Sequence, residues 1–400
     1  MIEQPSFGRR LRQLRRQQGK AQSELAGPGM SAAYLSRLES GARPPTQRAV
    51  QYLASRLNVT LDAFSTNEPS SLVDVLAAVQ ASAADEPELR ARLQTALAAA
   101  GTEDPGLRWQ AHAHLASLLS DEGGRQEASE HLRMLVLLSD ELRHTSLQVH
   151  SRLRLARCLR ALGHVEEARA VAREGLRLGD EMAWVGPDLL RCRLLVASVT
   201  AELGDLAEAL RLSQEACDSL RNRTGPLAAE ALWTMATLSS RQGDHERSAV
   251  CMRQAASVLD SRDDLLLWMR LRLAAAALVL RAVPQDLAEA ERHLDEVRPA
   301  LGLVGSVLHE YEYAFLRAQL AYGRGDFSEA GSLCAVAAEG EDHLNFRDQI
   351  LLGMLQEQIR IKETGDAGGG HLGDLAAAAQ RQGMLDLAAE IWRVLAEARA

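Results

Sequence analysis

Aromatic residues are scarce in this chain, at 4%, and lysine occurs only at Lys20 and Lys362, so 43 of the 45 basic residues are arginine. That excess reads as a composition bias, not as 43 phosphate contacts. Proline is rare, 11 in 400 residues, and no window shows the β-branched alternation of a half-buried strand. What remains is rich in Ala, Leu, Arg and Glu, which lose little conformational entropy in a helix. The expected fold class is all-α. The five cysteines, Cys158, Cys192, Cys217, Cys251 and Cys334, show no CxxC and no histidine at metal-ligand spacing, so buried, reduced thiols are expected. The first 20 residues hold six Arg or Lys but no apolar core of a signal peptide. The most apolar stretch, 271–280, is broken at Arg272 and stops at Arg281, short of the roughly 18 residues that span a bilayer. A soluble, cytoplasmic protein is expected.

Catalytic signatures are missing as well. There is no Gly-rich phosphate loop, no HExxH and no Ser/His/Asp set in a strand-turn-helix context. His112 and His114 fall two apart on a helix, hence on different faces, and make a poor metal site. The other histidines have no partner by spacing. No cofactor, no metal and no enzymatic activity are expected.

Charge is unevenly spread. Residues 1–60 hold ten Arg or Lys against three Glu, a charge of +7, so with a net charge of −9 for the chain the other 340 residues carry −16. A basic module on an acidic body suits a phosphate-contacting domain joined to a non-DNA domain. Within the basic module a first helix is expected over 7–17, with Phe7, Leu11 and Leu14 on one face. A short second helix follows at 21–26, and Gly27, Pro28 and Gly29 form a turn. Ser31 caps a third helix over 32–40 with Leu35 and Leu38 inward, Thr46 caps a fourth through Leu57, and 59–64 closes the bundle with a short fifth.

The segments Gly8-Arg9-Arg10-Leu11-Arg12, Gln22-Ser23-Glu24-Leu25-Ala26, Tyr34-Leu35-Ser36-Arg37-Leu38-Glu39-Ser40-Gly41 and Arg43-Pro44-Pro45 occur in the order of the Xre-type, phage-repressor-like helix-turn-helix, which this region resembles. The resemblance implies five helices, the third lying in the major groove of double-stranded DNA and the second crossing its backbone. It puts Gln22 on phosphate, Ala32, Ala33 and Arg37 at base edges with Ser31 and Ser36 beside them, and Arg43 in a phosphate-contacting loop. It also implies an internal ion pair between Arg15 and Glu39. A guanidinium can bond bidentately to guanine, which singles out Arg37 for direct readout. The turn between the second and third helices is one residue shorter than the family's.

The polar junction STNEPSS at 65–71 divides the chain, giving an expected helix-turn-helix domain at 1–65, a linker at 66–71 and a repeat domain at 72–400. Behind the junction one turn recurs: LGHVEEA (162–168), LGDLAEA (203–209), QGDHERS (242–248) and RGDFSEA (324–330), with weaker copies at 123–128, 285–290 and 383–388. The glycine-equivalent positions 123, 163, 204, 243, 285 and 325 lie 39 to 42 residues apart, a period of stacked helical hairpins. Gly ends the first helix; Asp205, Asp286 or Asp326 caps the second, with Glu208, Glu289 or Glu329 completing a capping box. Small residues recur seven before, five after and twelve after the glycine (Ala197, Ala209 and Ala216, for example), where paired helices approach closely. These offsets resemble the tetratricopeptide repeat, without its aromatic signature and with a longer period. Six or seven hairpins in a right-handed superhelix are implied, the run 365–370 setting off the last as a cap.

By that resemblance the first helix of each hairpin lines a groove. This makes Arg157, Arg160, Arg191, Ser198, Glu230, Trp233, Thr237, Arg241, Glu312, Phe315, Gln319 and Tyr322 ligand-facing candidates, Arg157 and Arg191 for a carboxylate or backbone carbonyl and Trp233 and Phe315 for an apolar side chain. A helix-turn-helix followed by such repeats resembles the peptide-pheromone receptor regulators of Gram-positive bacteria, and implies a quorum-sensing transcriptional regulator that is a homodimer and responds to a peptide or small-molecule effector. The alternative is an interaction protein whose repeats clamp a protein partner, with DNA binding as a tether.

Overall fold

A computed structural model describes residues 6–64, 71–81, 86–99, 104–220, 223–365 and 370–399. The regular elements among the described residues are all helices, apart from one isolated bridge between Gly27 and Met30. The chain forms two compact units, 1–83 and 84–400. The expected linker lies almost wholly outside the described residues, and the helix Leu72–Ala81, expected to open the repeats, falls within the first unit.

The first unit contains α1 (Ser6–Gln17), α2 (Gln22–Leu25), α3 (Ala32–Glu39), α4 (Gln47–Leu57), a 3-10 turn (Leu61–Phe64) where a fifth helix was expected, and α5 (Leu72–Ala81). Phe7, Leu11, Leu25, Leu35, Leu38, Leu53 and Leu57 are fully buried, and the rings of Phe7 and Phe64 lie 5.5 Å apart. Gly27 and Met30 exchange backbone hydrogen bonds of 3.0 and 2.9 Å around Pro28 and Gly29. Proline at the second and glycine at the third position of such a turn (φ +83° at Gly29) is the type II pattern. Despite the short turn, α3 starts where expected, capped by Ser31 Oγ accepting from the Tyr34 amide at 3.1 Å.

The second unit begins with α6 (Glu86–Ala99) and continues as hairpins: α7 (Pro105–Asp121) with α8 (Arg125–Leu142), α9 (Thr145–Ala161) with α10 (Val165–Glu181), α11 (Pro187–Glu202) with α12 (Leu206–Ser219), and α13 (Pro226–Arg241) with α14 (His245–Val258). Then come α15 (Leu265–Arg281) with α16 (Leu287–Val304), α17 (Val307–Gly323) with α18 (Phe327–Glu339), a single long helix α19 (Phe346–Thr364), and α20 (Gly370–Arg381) with α21 (Leu385–Arg399). Of the glycine run before the last hairpin, 366–369 lie outside the described residues.

The hairpin turns form as their sequences require. At Gly204 (φ +94°) the glycine amide bonds back to Ala201 and the Asp205 amide to Thr200, both at 3.1 Å, a Schellman closure that uses glycine's access to the left-handed region. Asp205, Asp286 and Asp326 each accept from the amide three residues on, at 2.9 to 3.1 Å. The other half of the expected capping box is absent. Glu208 and Glu289 turn outward to Arg211 and Arg292, three residues on, and Glu329 faces Arg317 at 3.9 Å, because a nearby guanidinium is a stronger partner than a backbone amide. Where glycine is replaced by Gln285, its side-chain amide donates to the Leu280 carbonyl at the helix end. The recurring small residues Ala156, Ala168, Ala197, Ala209, Ala216, Ala318, Ala330 and Ala337 are fully buried.

Consecutive first helices (α9, α11, α13, α15, α17) touch one another, whereas second helices pack on their own partner and on the next first helix. The first helices therefore form the inner layer of the curve. The stack also returns on itself. α21 packs on α11, Phe346 lies against Gly163 and Leu385 against Gly204, and Arg125 donates to the carbonyls of Asp342 and Leu344 at 3.0 and 2.8 Å. A single apolar cluster accordingly runs from Leu132 and Leu153 through Val199 to Leu352, Leu387 and Leu395. The last hairpin closes a ring, where the sequence suggested a terminal cap.

Candidate DNA interface and repeat groove

On α3 the inward residues Leu35 and Leu38 are fully buried and Glu39 is 4% exposed, while Ser31, Ala32, Ala33, Ser36 and Arg37 all face solvent. The Arg37 guanidinium has no ion pair or hydrogen bond among the described residues. Arg43 is exposed, its guanidinium 5.1 Å from the centre of the Tyr34 ring. Exposed Arg12, Arg16 and Arg48 add positive charge to the same small unit.

What holds α3 is the buried carboxylate of Glu39. Arg15 grips both its oxygens, Nε to Oε1 at 2.6 Å and Nη2 to Oε2 at 3.0 Å, and Arg12 lies 3.5 Å away. The implied Arg15–Glu39 pair is thus present. Gln22, expected on phosphate, is half-buried and donates Nε2 to Glu39 Oε2 at 2.7 Å, so only its remaining amide hydrogen and carbonyl oxygen are unengaged by that bond. Spacing along the chain could not show this link, because the two residues are 17 apart on different helices. Burial works to raise the Glu39 pKa, but the Arg15 and Gln22 hydrogen bonds outweigh it and hold the carboxyl below its ordinary value.

In the repeat unit the candidate groove residues divide. Phe315 is 3% exposed, its ring packed into the main apolar cluster, which removes it from any groove surface. Arg160 pairs with buried Glu202 at 2.7 Å, and Arg241 reaches Glu202 at 3.3 Å and Asp386 at 3.5 Å; Arg347 completes this belt on Asp386 at 2.9 Å. Burial opposes the Glu202 charge, yet Arg160 and Arg241 draw its pKa down to about 2. Arg241 and Arg347, each 13% exposed, join the two ends of the ring and are closed to a ligand, whereas Arg160 keeps a partly exposed side chain that is engaged by Glu202. Ser198 and Thr237 bond to carbonyls one turn back, at 3.0 and 3.1 Å. Gln319 and Tyr322 line a cleft of about 290 Å³ together with Arg281, Gln358 and Glu390.

Arg157, Arg191, Glu230, Trp233 and Glu312 remain on the inner layer. Arg191 is occupied: it bonds Glu230 at 2.9 to 3.1 Å and Asp188 at 3.4 Å, and His150 takes the other Asp188 oxygen at 2.8 Å. Arg157 is exposed with no partner among the described residues. Arg270, which the offsets did not single out, lies 5.5 Å over Trp233. Burial and the nearby Asp348 charge push the Glu312 carboxyl up to about 7. Two histidines also find partners that spacing did not reveal, His150 on Asp188 and His112, whose Nδ1 lies 2.8 Å from His131 Nδ1. Among the described residues there is no group of three or more metal-ligating side chains and no helix long and apolar enough to cross a membrane.

Residues 6–65 match the family model described as a helix-turn-helix domain. No curated protein matches the chain. Among solved structures, a Rap protein complexed with competence and sporulation factor is similar over 98% of this chain and 100% of its own, with a TM-score of 0.56 and 11% identity. The apo quorum sensor NprR from B. thuringiensis aligns over 99% and 98%, with a TM-score of 0.49 and 12% identity. Bacillus thuringiensis PlcR in complex with the peptide PapR7 and DNA aligns over 78% and 98%, with a TM-score of 0.37 and 14% identity. The chain therefore joins a helix-turn-helix domain to an all-α unit of stacked, tetratricopeptide-like hairpins.

Proposed function

We propose that this protein is a transcriptional regulator that reads double-stranded DNA with α3 and is controlled by an effector, most simply a peptide, held on the inner layer of its repeats. The observation that carries the DNA half is the split of α3 in a helix-turn-helix domain: Leu35, Leu38 and Glu39 anchor it, and Ser31, Ala32, Ala33, Ser36 and Arg37 stand clear on the outer face. Short side chains at 32 and 33 let a helix backbone sit deep in a major groove, and an unpaired guanidinium can read guanine. Gln22, fixed by Glu39, keeps an amide hydrogen for phosphate, and exposed Arg43 is a second phosphate contact. The receptor half is supported by the shared fold with a Rap protein solved with a bound factor. The proposed functional unit is a homodimer, reading two half-sites about one helical turn apart.

Binding-site selection with the full chain on genomic fragments tests this reading. A defined site near the protein's own gene is expected, with Arg37→Ala weakening it by about tenfold or more and relaxing preference at one base pair. Binding that is indifferent to sequence and lost evenly with salt would overturn it. The second reading, a clamp on a protein partner, also rests on the inner layer; a stoichiometric protein complex of residues 84–400 with no peptide effect on DNA affinity favours it.

A further inference from the structure

The inner layer carries a local excess of positive charge that its own acids do not neutralise. Around the start of α11 and α13 three guanidinium groups meet two carboxylates: Arg157, Arg191 and Arg270 against Asp188 and Glu230. Both carboxylates are spent on Arg191, with Asp188 also engaged by His150. Arg157 therefore faces the groove unpaired among the described residues; the protein packed around it, more than the mixed charges of Glu230, Arg270, Arg191 and Asp188, draws its pKa down, and those four charges share one field with it. Arg270 is exposed too, and the Trp233 ring beneath its guanidinium is the only partner it has among the described residues. Glu312 offers less compensation than an ordinary carboxylate, since burial and Asp348 push it up to about 7. A guanidinium resting on an indole is already ordered, and two such forks bordering one concave surface suit a planar oxyanion.

Resting on the receptor reading above, we propose that the effector is an anionic peptide whose carboxylate is bound between Arg157 and Arg270, with Trp233 as the apolar floor. The carboxylate comes either from an acidic side chain or from the peptide's own C-terminus, and the test separates the two.

Affinity selection on the full chain uses three pools of random heptapeptides: Asp/Glu-containing with amidated ends, neutral with a free C-terminus, and neutral with an amidated end. Peptides retained after gel filtration are counted by mass spectrometry. At least about tenfold enrichment from one of the two carboxylate-bearing pools over the neutral amidated pool is expected, and which pool wins names the source of the carboxylate. Arg157→Gln with Arg270→Gln should abolish that enrichment at an unchanged melting temperature, and the Arg157→Lys, Arg270→Lys pair should keep part of it. Equal retention from the neutral amidated pool overturns the carboxylate assignment and leaves the peptide reading intact. Undiminished enrichment in the Gln pair places the anion elsewhere and also overturns it. Retention from no pool removes the peptide reading and this assignment together. Thermal stabilisation of the full chain by inorganic phosphate alone, lost in the Gln pair, assigns these arginines to a free anion and overturns the peptide carboxylate.

Discussion

Glu39 and Arg37 sit two residues apart on one helix and should separate stability from recognition. Glu39 is 4% exposed and carries bonds from Arg15 and Gln22. Glu39→Ala leaves Arg15 facing a void and should cost about 3 kcal/mol, seen as a lowered unfolding midpoint of the first unit alone. Arg37→Ala, on the solvent face, should shift that midpoint by less than about 0.5 kcal/mol while weakening DNA binding. Because the Glu39 pKa is depressed in the fold, its contribution is complete above its ordinary value of 4.5 and fades as pH falls through the folded value. Glu312 has the opposite sign. Its carboxyl, facing Asp348, Arg270 and Arg125, is raised to about 7 from 4.5, so the fold retains a proton that the unfolded chain has lost. Stability should fall between pH 4.5 and 7 on this account and level off above. Glu312→Gln should flatten that interval and raise the midpoint at pH 8; an unchanged slope in urea titrations across this range would show that Glu312 does not set it.

At the scale of the element, two glycines with the same backbone predict different outcomes. Gly163 and Gly243 both end a first helix at φ +85°, so alanine costs each about 1 kcal/mol in backbone strain. A Cβ on Gly243 meets nothing within 4 Å, whereas one on Gly163 would lie 2.9 Å from Phe346 Cγ. Gly163→Ala should therefore cost about 1–3 kcal/mol more than Gly243→Ala in chemical denaturation of the full chain; equal losses would mean the Phe346 ring yields freely. Asp326→Ala should cost about 1 kcal/mol, the amide of Glu329 losing its acceptor. The turn itself was legible in the sequence because glycine, aspartate and the small residues act within a few positions of each other. Ser31, Thr46 and the α3 boundary were legible for the same reason. The reciprocal bonds of Glu208 and Glu289 were misread because arginines three residues on compete for the same carboxylates, a choice between two local partners that a motif does not rank, and that of Glu329 because Arg317 comes from the preceding helix. Gln22 with Glu39, Arg270 with Trp233 and His112 with His131 were not legible, since nothing along the chain brings one helix face to another.

Ring closure is the property of the whole molecule, and it lay furthest from the sequence: Arg125 meets Leu344 across 219 positions. Period and turn chemistry specify each hairpin and its neighbour, but the small rotation from one hairpin to the next decides whether the stack opens or closes. Closure here depends on the belt Arg160–Glu202–Arg241–Asp386–Arg347, which ties α9, α11 and α13 to α19 and α21. Glu202, 1% exposed, is its hinge. Glu202→Ala should leave Arg160 and Arg241 without their shared acid, cost about 3–5 kcal/mol, and loosen α19 to α21 ahead of the other helices. Backbone hydrogen exchange should rise first in residues 346–395, and the radius of gyration from X-ray scattering should grow. Glu181→Ala, which breaks only an exposed pair with Arg177, should do neither. The two pairs should also differ in salt. Raising ionic strength from 0.05 to about 1 M shortens the screening length to roughly 3 Å and should silence exposed pairs such as Arg177–Glu181, while the buried belt holds. A belt that loosened with salt as readily as the exposed pair would be a surface feature after all, and closure would then rest on the apolar cluster alone.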